Sequence, residues 1–321
     1  MKKITYRHTQ YASYLGYVTQ AIVNNLAPLL FVIFQDQFHI PLHKITLLIT
    51  TNFCFQLVVD FIAARIVDRI GYRPCIIAAH LFATAGLVGM AVLPHLFSDP
   101  YYGLLTAVLL YAVGGGLIEV LISPIVEACP TDNKASVMSL LHSFYCWGTV
   151  GVIVLSTGFL ALFGRENWGI LACLWAMLPL GNAFFFAKVP IAQLGDDGSS
   201  MSLDSLVRSR LFWLFIVLMV ASGASEQAMS QWASTFAEKG LGVSKAIGDL
   251  AGPCLFSILM GCSRVFYAKF SEKIDLTNFI IGSCVLCIGA YLLAALSPSP
   301  VLGLVGCGLF GLSVGILWPG V

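Results

Sequence analysis

The stretch Ala64-Arg65-Ile66-Val67-Asp68-Arg69-Ile70-Gly71-Tyr72-Arg73-Pro74 is a knot of charge between two long apolar segments. Only 10% of the chain's 321 residues are charged, so the concentration is unusual. Two apolar spans joined by so short and basic a turn make a membrane hairpin with its turn on the cytoplasmic side. A loop that only set topology would need bases alone. The acid within the run, and the glycine after it, point to a turn with a further task.

The rest of the sequence fits a membrane protein. Hydrophobic residues make up 58% of the chain, more than a soluble domain buries. Apolar segments of about 20 residues read as transmembrane helices, because only helices or closed barrels satisfy the backbone in lipid. The runs are long and do not alternate, which excludes a barrel. A net charge of +1 gives no footing for a nucleic-acid partner. Met1-Lys2-Lys3 is basic, but Thr5 to Tyr14 is polar, so no signal peptide is read. Of the ten cysteines, Cys284 and Cys287 have CxxC spacing inside an apolar run. With no histidine or second pair beside them they read as small apolar fillers. No metal set and no cofactor motif is present.

Hydropathy predicts about ten helices, at 11–35, 44–67, 74–95, 101–125, 136–163, 167–189, 211–237, 245–268, 278–297 and 300–320. The linker-like stretch 191–210 holds Gly195-Asp196-Asp197-Gly198-Ser199-Ser200. It divides the chain into a six-helix bundle, 1–190, and an incomplete four-helix bundle, 211–321. With the N-terminus inside, the outer side carries Lys44, Arg165, Lys239 and Lys245, and every other one of the 17 bases is inside. That asymmetry orients the chain in a plasma (inner) membrane with a cytoplasmic N-terminus.

A pseudo-repeat recurs at an offset of about 200 residues, the internal symmetry of secondary transporters. The turn near Asp68 has a weaker counterpart from Gly261 through Arg264 to Lys273. Gly114-Gly115-Gly116 has one in Gly306, Gly308, Gly311 and Gly315. By this register Val321 falls within a fourth helix of the second half, and Trp318-Pro319-Gly320-Val321 has no basic anchor. The expectation is a piece of a longer protein, the alternative a protein of ten helices.

Asp68, Arg69, Gly71 and Arg73 resemble the signature of the major facilitator superfamily, Gly-x-x-x-Asp-(Arg/Lys)-x-Gly-Arg-(Arg/Lys). Ala64 stands where the first glycine usually is, and Tyr72 where a base is. The resemblance implies an all-α integral membrane bundle and a gating role for the turn, whose acid docks at the positive end of helix eleven. A looser resemblance is to the fucose permease-like sugar–proton symporters. It rests on Asn24-Asn25 before Pro28, on Gly114-Gly115-Gly116-Leu117-Ile118-Glu119, and on His142-Ser143-Phe144-Tyr145. That group pairs a helix-one aspartate with a helix-four glutamate in proton coupling and sugar binding. Glu119 matches the second; an asparagine, Asn24 or Asn25, stands at the first.

The polar residues within the spans are read on physical grounds. A charge at bilayer depth costs several kcal/mol, so it faces a cavity or a partner. Glu119 is the candidate proton carrier, against a permanently protonated structural glutamate. Asp60, two turns before Asp68, is expected to pair with Arg65 or Arg264 as a gate or structural bridge. Glu127 and Asp249 lie near helix ends, within reach of the interface. Gln20, Asn24 and Asn25 in helix one suit a neutral polyol, since amides hydrogen-bond hydroxyls. Glu226, Gln227, Gln231 and Trp232 in helix seven could line the same cavity, with Gly223 expected to let the helix unwind there. The alternative for each is polar glue between helices. His142 is a secondary candidate for proton relay.

The expected function is secondary active transport of a small polar solute, with sugar favoured, by proton-coupled alternating access. A drug or metabolite exporter of the same fold is the alternative, for which the 22 phenylalanines could line a cavity. A non-transporting receptor or an inactive fragment is the alternative of another class. An enzyme is not expected: no nucleophile cluster, metal set or Walker-type GxxxxGK[ST] occurs.

Overall fold

A computed structural model describes residues 4–130, 134–192, 207–270, 274–297 and 299–317. Most of the expected linker, the Trp318–Val321 end, and the side chains of Ala64, Arg65 and Asp68 lie outside the described residues. The chain divides into two compact units, Met1–Leu194 and Gly195–Val321. Among the described residues, 9 helices are long and apolar enough to cross a membrane, and Pro300–Val314 is a shorter apolar helix.

The first unit consists of α1 (Tyr6–Phe38), α2 (Leu42–Ile70), α3 (Tyr72–Leu96), α4 (Pro100–Glu127), α5 (Lys134–Phe163) and α6 (Trp168–Lys188). Gly71 alone separates α2 from α3. Its φ of 94° and ψ of 154° lie in a region essentially restricted to glycine, which is why the charged turn needs one there. Its N–H still donates to Val67 O at 2.7 Å. Arg73 then reaches α6, where its Nη1 donates to Phe186 O and Ala187 O at 3.0 and 2.9 Å. A cation on the last carbonyls of a helix is favourable on both hydrogen-bonding and dipole grounds. Arg73 of the turn is thus a cap for α6.

α3 runs along α4 and α6, α1 lies against α4, α5 and α6, and α2 packs on α4. The α3–α4 contact is backbone to backbone. A Cβ at Gly114 would sit 2.6 Å from both Ala79 O and Ala83 N. Gly114→Ala therefore forces two helices apart, an overpacking worth about 1–3 kcal/mol. Gly151 on α5 meets nothing within 4 Å, and Gly151→Ala should stabilise by up to about 1 kcal/mol, because alanine is the better helix former. Thermal unfolding of the detergent-solubilised protein should show the two melting temperatures moving in opposite directions.

A second tie fixes α3 to its neighbours. His80 is fully buried, and its Nδ1 lies 2.8 Å from Ile76 O, so that nitrogen carries the proton. Nε2 then accepts from Asn182 Nδ2 at 2.9 Å, and the same amide donates to Ala12 O at 3.0 Å. One neutral histidine and one amide thereby join α1, α3 and α6.

The second unit begins with α7 (Arg210–Thr235). A π turn, Phe236–Gly240, follows, and then α8 (Lys245–Asp249), a second π turn, Leu250–Cys254, and α9 (Leu255–Phe270). α10 (Leu276–Leu296) and α11 (Pro300–Val314) complete it. α7 runs helical through Gly223. The expected unwinding there is not found, and the departures from α geometry are the two π turns. α9 and α11 touch closely enough that a Cβ on Gly311 would collide with Phe256 O. Phe256 stacks on Phe310.

Asp249 and Lys245 differ from the sequence expectation of an interfacial acid and an outer loop base. They are 0% and 5% exposed and pair at 3.1 Å, while Ser234 Oγ donates to Asp249 Oδ1. The i, i+4 spacing on α8 brings the charges together, and α7 supplies the hydroxyl.

Candidate functional site

α1 is the most enclosed span, with 83% of its most apolar window buried. Its polar side chains therefore project into protein. Gln20 and Asn24, one turn apart on one face, meet α2. Gln56 Nε2 donates to Asn24 Oδ1 at 3.1 Å and to Asn52 Oδ1 at 2.9 Å. Gln20 Nε2 lies 3.3 Å from both Gln56 Oε1 and Glu119 Oε2, so it bridges α2 to the carboxylate of α4. All four amide side chains are 6% exposed or less, whereas Glu119 is exposed. The arrangement is an uncharged amide cluster with one carboxyl at its accessible edge. Among the described residues, Gln20 Oε1 is buried without a hydrogen-bond partner.

Glycines on α4 make room for it. A Cβ on Gly115 would lie 3.1 Å from Gln56 Cδ, and one on Gly116 would lie 3.0 Å from Asp60 Oδ1. Asn52, Gln56 and Asp60 follow one another at four-residue intervals along one face of α2. The sequence reading named only Asp60 of these three. Of the two partners expected for Asp60, the Arg65 side chain lies outside the described residues and Arg264 pairs with Glu226 in its own unit; Asp60 Oδ1 is buried without a hydrogen-bond partner among the described residues.

Asn25 turns the other way. Its amide donates to Ala21 O at 2.9 Å and to Thr149 Oγ1 on α5 at 3.2 Å, so it stands apart from the Gln20–Asn24 cluster. Adjacent residues on a helix point about 100° apart, which separates the two asparagines. His142 is exposed, with its ring edge-on to Tyr17 at 5.3 Å. Tyr17 in turn exchanges a hydrogen bond with Ser123 at 3.1 Å.

In the second unit Glu226 on α7 pairs with Arg264 on α9 at 3.5 Å. Arg264 Nε also donates to Gly315 O at 3.0 Å. The partner of Arg264 is thus Glu226, and both are largely buried. Gln231 Nε2 donates to Gln227 Oε1 at 3.3 Å, one turn away. Trp232 is half-buried on the next face. Glu226 is committed to an arginine, which the sequence could not reveal.

The sequence matches the family model described as Major Facilitator Superfamily over residues 13–321. The chain belongs to the Major Facilitator Superfamily. As in other transporters of this superfamily the spans are all helical, and the charged α2–α3 turn with Gly71 stands where the signature lies. No curated protein matches the sequence. Among solved structures, the chain is similar to a D-xylose-proton symporter at 15% identity and TM-score 0.74, covering 97% of this chain and 79% of that one. It is similar to the xylose transporter XylE from E. coli, in a partially occluded inward-open conformation, at 12% identity and TM-score 0.77, covering 98% and 85%. It is also similar to the E. coli fucose:proton symporter FucP at 14% identity and TM-score 0.71, covering 97% and 82%. At such identities the likeness is one of fold.

Proposed function

We propose that this superfamily member is a proton-coupled sugar symporter working by alternating access, with its N-terminus in the cytoplasm of a plasma (inner) membrane. The observation that carries the reading is the amide cluster of Gln20, Asn24, Asn52 and Gln56 ending at Glu119. Amides donate and accept without charge, as sugar hydroxyls do, so a sugar exchanges amide–amide bonds for amide–hydroxyl bonds at little net cost. Glu119 is the proton site: a carboxyl at bilayer depth is costly as an isolated anion. Gln227, Gln231 and Trp232 are proposed as further sugar contacts, through amide hydrogen bonds and ring stacking. Glu226, held by Arg264, orients α7 against α9. The sugar preference is supported by the similar solved structures, which are of a D-xylose-proton symporter and a fucose:proton symporter.

The test is uptake into vesicles containing the purified protein. Labelled sugars from a broad panel, xylose and fucose included, should accumulate when a proton gradient is imposed, inside alkaline. Uptake that ignores the gradient for every sugar would refute the symporter, and gradient-driven loss of apolar compounds from the vesicles would favour an exporter.

A further inference from the structure

We infer that the second unit holds a phospholipid, with one acyl chain in a cavity between α9, α10 and α11 and an ammonium head at Asp275. The cavity has a volume of about 410 Å³, within the range of sites that take small molecules. Its wall comes from Ser263 and Phe266 on α9, Asn278, Phe279 and Leu286 on α10, and Leu312 on α11. The surface it presents is almost wholly apolar, and Ser263 is 2% exposed. Gly282 also lines it, and a Cβ there would meet nothing within 4 Å. The space therefore exists because α10 lacks a side chain at that turn. Phe266 and Phe279 face each other across it with ring centroids 6.2 Å apart, and Phe266 is 47% exposed at the rim.

Length and charge name the occupant. Asn278 lies in the first turn of α10, at the end of the span, and Leu286 lies eight residues deeper. At about 1.5 Å per residue the cavity runs ~12 Å along the helix. One leaflet of a bilayer is half of a ~30 Å hydrocarbon core, so a single acyl chain matches that depth. The fluid against an apolar wall at this level is lipid chain, and no water is there to fill it. The mouth carries a negative charge. Asp275 is exposed, and its Oδ1 accepts from the Asn278 N–H at 2.9 Å, which holds the carboxylate beside the first wall residue. Arg264, the nearest described base in sequence, is spent on Glu226 and on Gly315 O. The site is drawn without Lys269, Glu272 and Lys273, whose side chains lie outside the described residues. A head bearing a primary ammonium, as in phosphatidylethanolamine, complements Asp275, and a purely anionic head is repelled by it. The site lies wholly within the second unit and does not depend on what the chain carries.

The experiment is native mass spectrometry of the full chain in detergent, with phosphatidylethanolamine or phosphatidylglycerol of the same acyl chains added. The unaltered protein should retain a phosphatidylethanolamine adduct in preference to phosphatidylglycerol, and that lipid should raise its melting temperature, since a ligand of the folded state stabilises it. Gly282→Leu fills the cavity and should lose both the adduct and the thermal shift. Gly289→Leu is the control: it makes the same change two turns further along α10, also with nothing within 4 Å of its Cβ, and should keep both. Asp275→Asn preserves the helix cap, because asparagine caps as well as aspartate, and should take the two lipids equally. If Gly282→Leu fails to fold, as judged by helical circular dichroism, Leu312→Trp fills the same cavity from α11 and decides in its place. An adduct that survives the filling variant, or that Gly289→Leu loses as well, overturns the cavity as the site. Equal binding of the two lipids by the unaltered protein, or an unchanged preference in Asp275→Asn, overturns the ammonium head at Asp275.

Discussion

Glu119→Gln abolishes gradient-driven accumulation of sugar and leaves exchange of sugar across the vesicle membrane intact. The substituted amide has the size of the carboxyl, and its oxygen can still accept from Gln20 Nε2, which now lies 3.3 Å from Glu119 Oε2. The bridge between α1 and α4 therefore survives, and with it the amide cluster. What is lost is the ability to carry a proton. With one proton moved per sugar, a one-unit pH gradient supports about tenfold accumulation, because one unit corresponds to ~1.4 kcal/mol. Without the proton, the gradient does no work on the sugar and the internal concentration stops at about the external one. Counterflow, in which labelled sugar exchanges for unlabelled sugar with no net proton movement, should keep its rate to within about twofold. Accumulation at the unaltered level would remove Glu119 as the proton carrier. Loss of both activities would make it a binding residue.

The parts of this site that were legible in the sequence are those whose meaning lies in local spacing. Hydropathy marks the helices because each span must be apolar over its whole length, and Gly71 is readable because the turn it makes is a single residue long. Gln20, Asn24 and Glu119 stand out as polar residues in apolar runs. Asn52 and Gln56 carry the same signal and share a face with Asp60, and the four-residue ladder on α2 would have exposed them. The choice between Asn24 and Asn25 is different. Both are amides at the same depth, and only the direction of α2 and α5 around α1 decides which joins the cluster. Glu226 and Arg264 lie on separate helices with two π turns and α8 between them, and no local rule links them. The burial of Lys245 and Asp249 was likewise hidden, because the sequence shows a loop followed by a helix start, which normally lies at the interface. Local patterns thus reach as far as the helix face, and tertiary packing settles which faces meet.

The buried pair on α8 leads to the largest stability effect we expect. Asp249→Ala should lower the stability of the second unit by about 3–5 kcal/mol, because the Lys245 ammonium is left in the interior without its counter-charge. Lys245 Nζ is 3.2 Å from Asp249 Oδ1 and 3.1 Å from Oδ2, and the pair is 6% and 0% exposed at its side chains, so solvent cannot replace the carboxylate. Ser234 also loses the acceptor that ties α7 to α8. The pair's net worth is a separate matter, since two buried charges are costly to desolvate even when matched. The double change Lys245→Met with Asp249→Leu removes both charges with little loss of volume, and such replacements are commonly neutral or stabilising. The double variant should therefore melt near the unaltered protein, and the single Asp249→Ala variant far below it, in thermal unfolding of the solubilised chain. If both melt equally low, packing around α8 and not charge balance holds the two π turns in place.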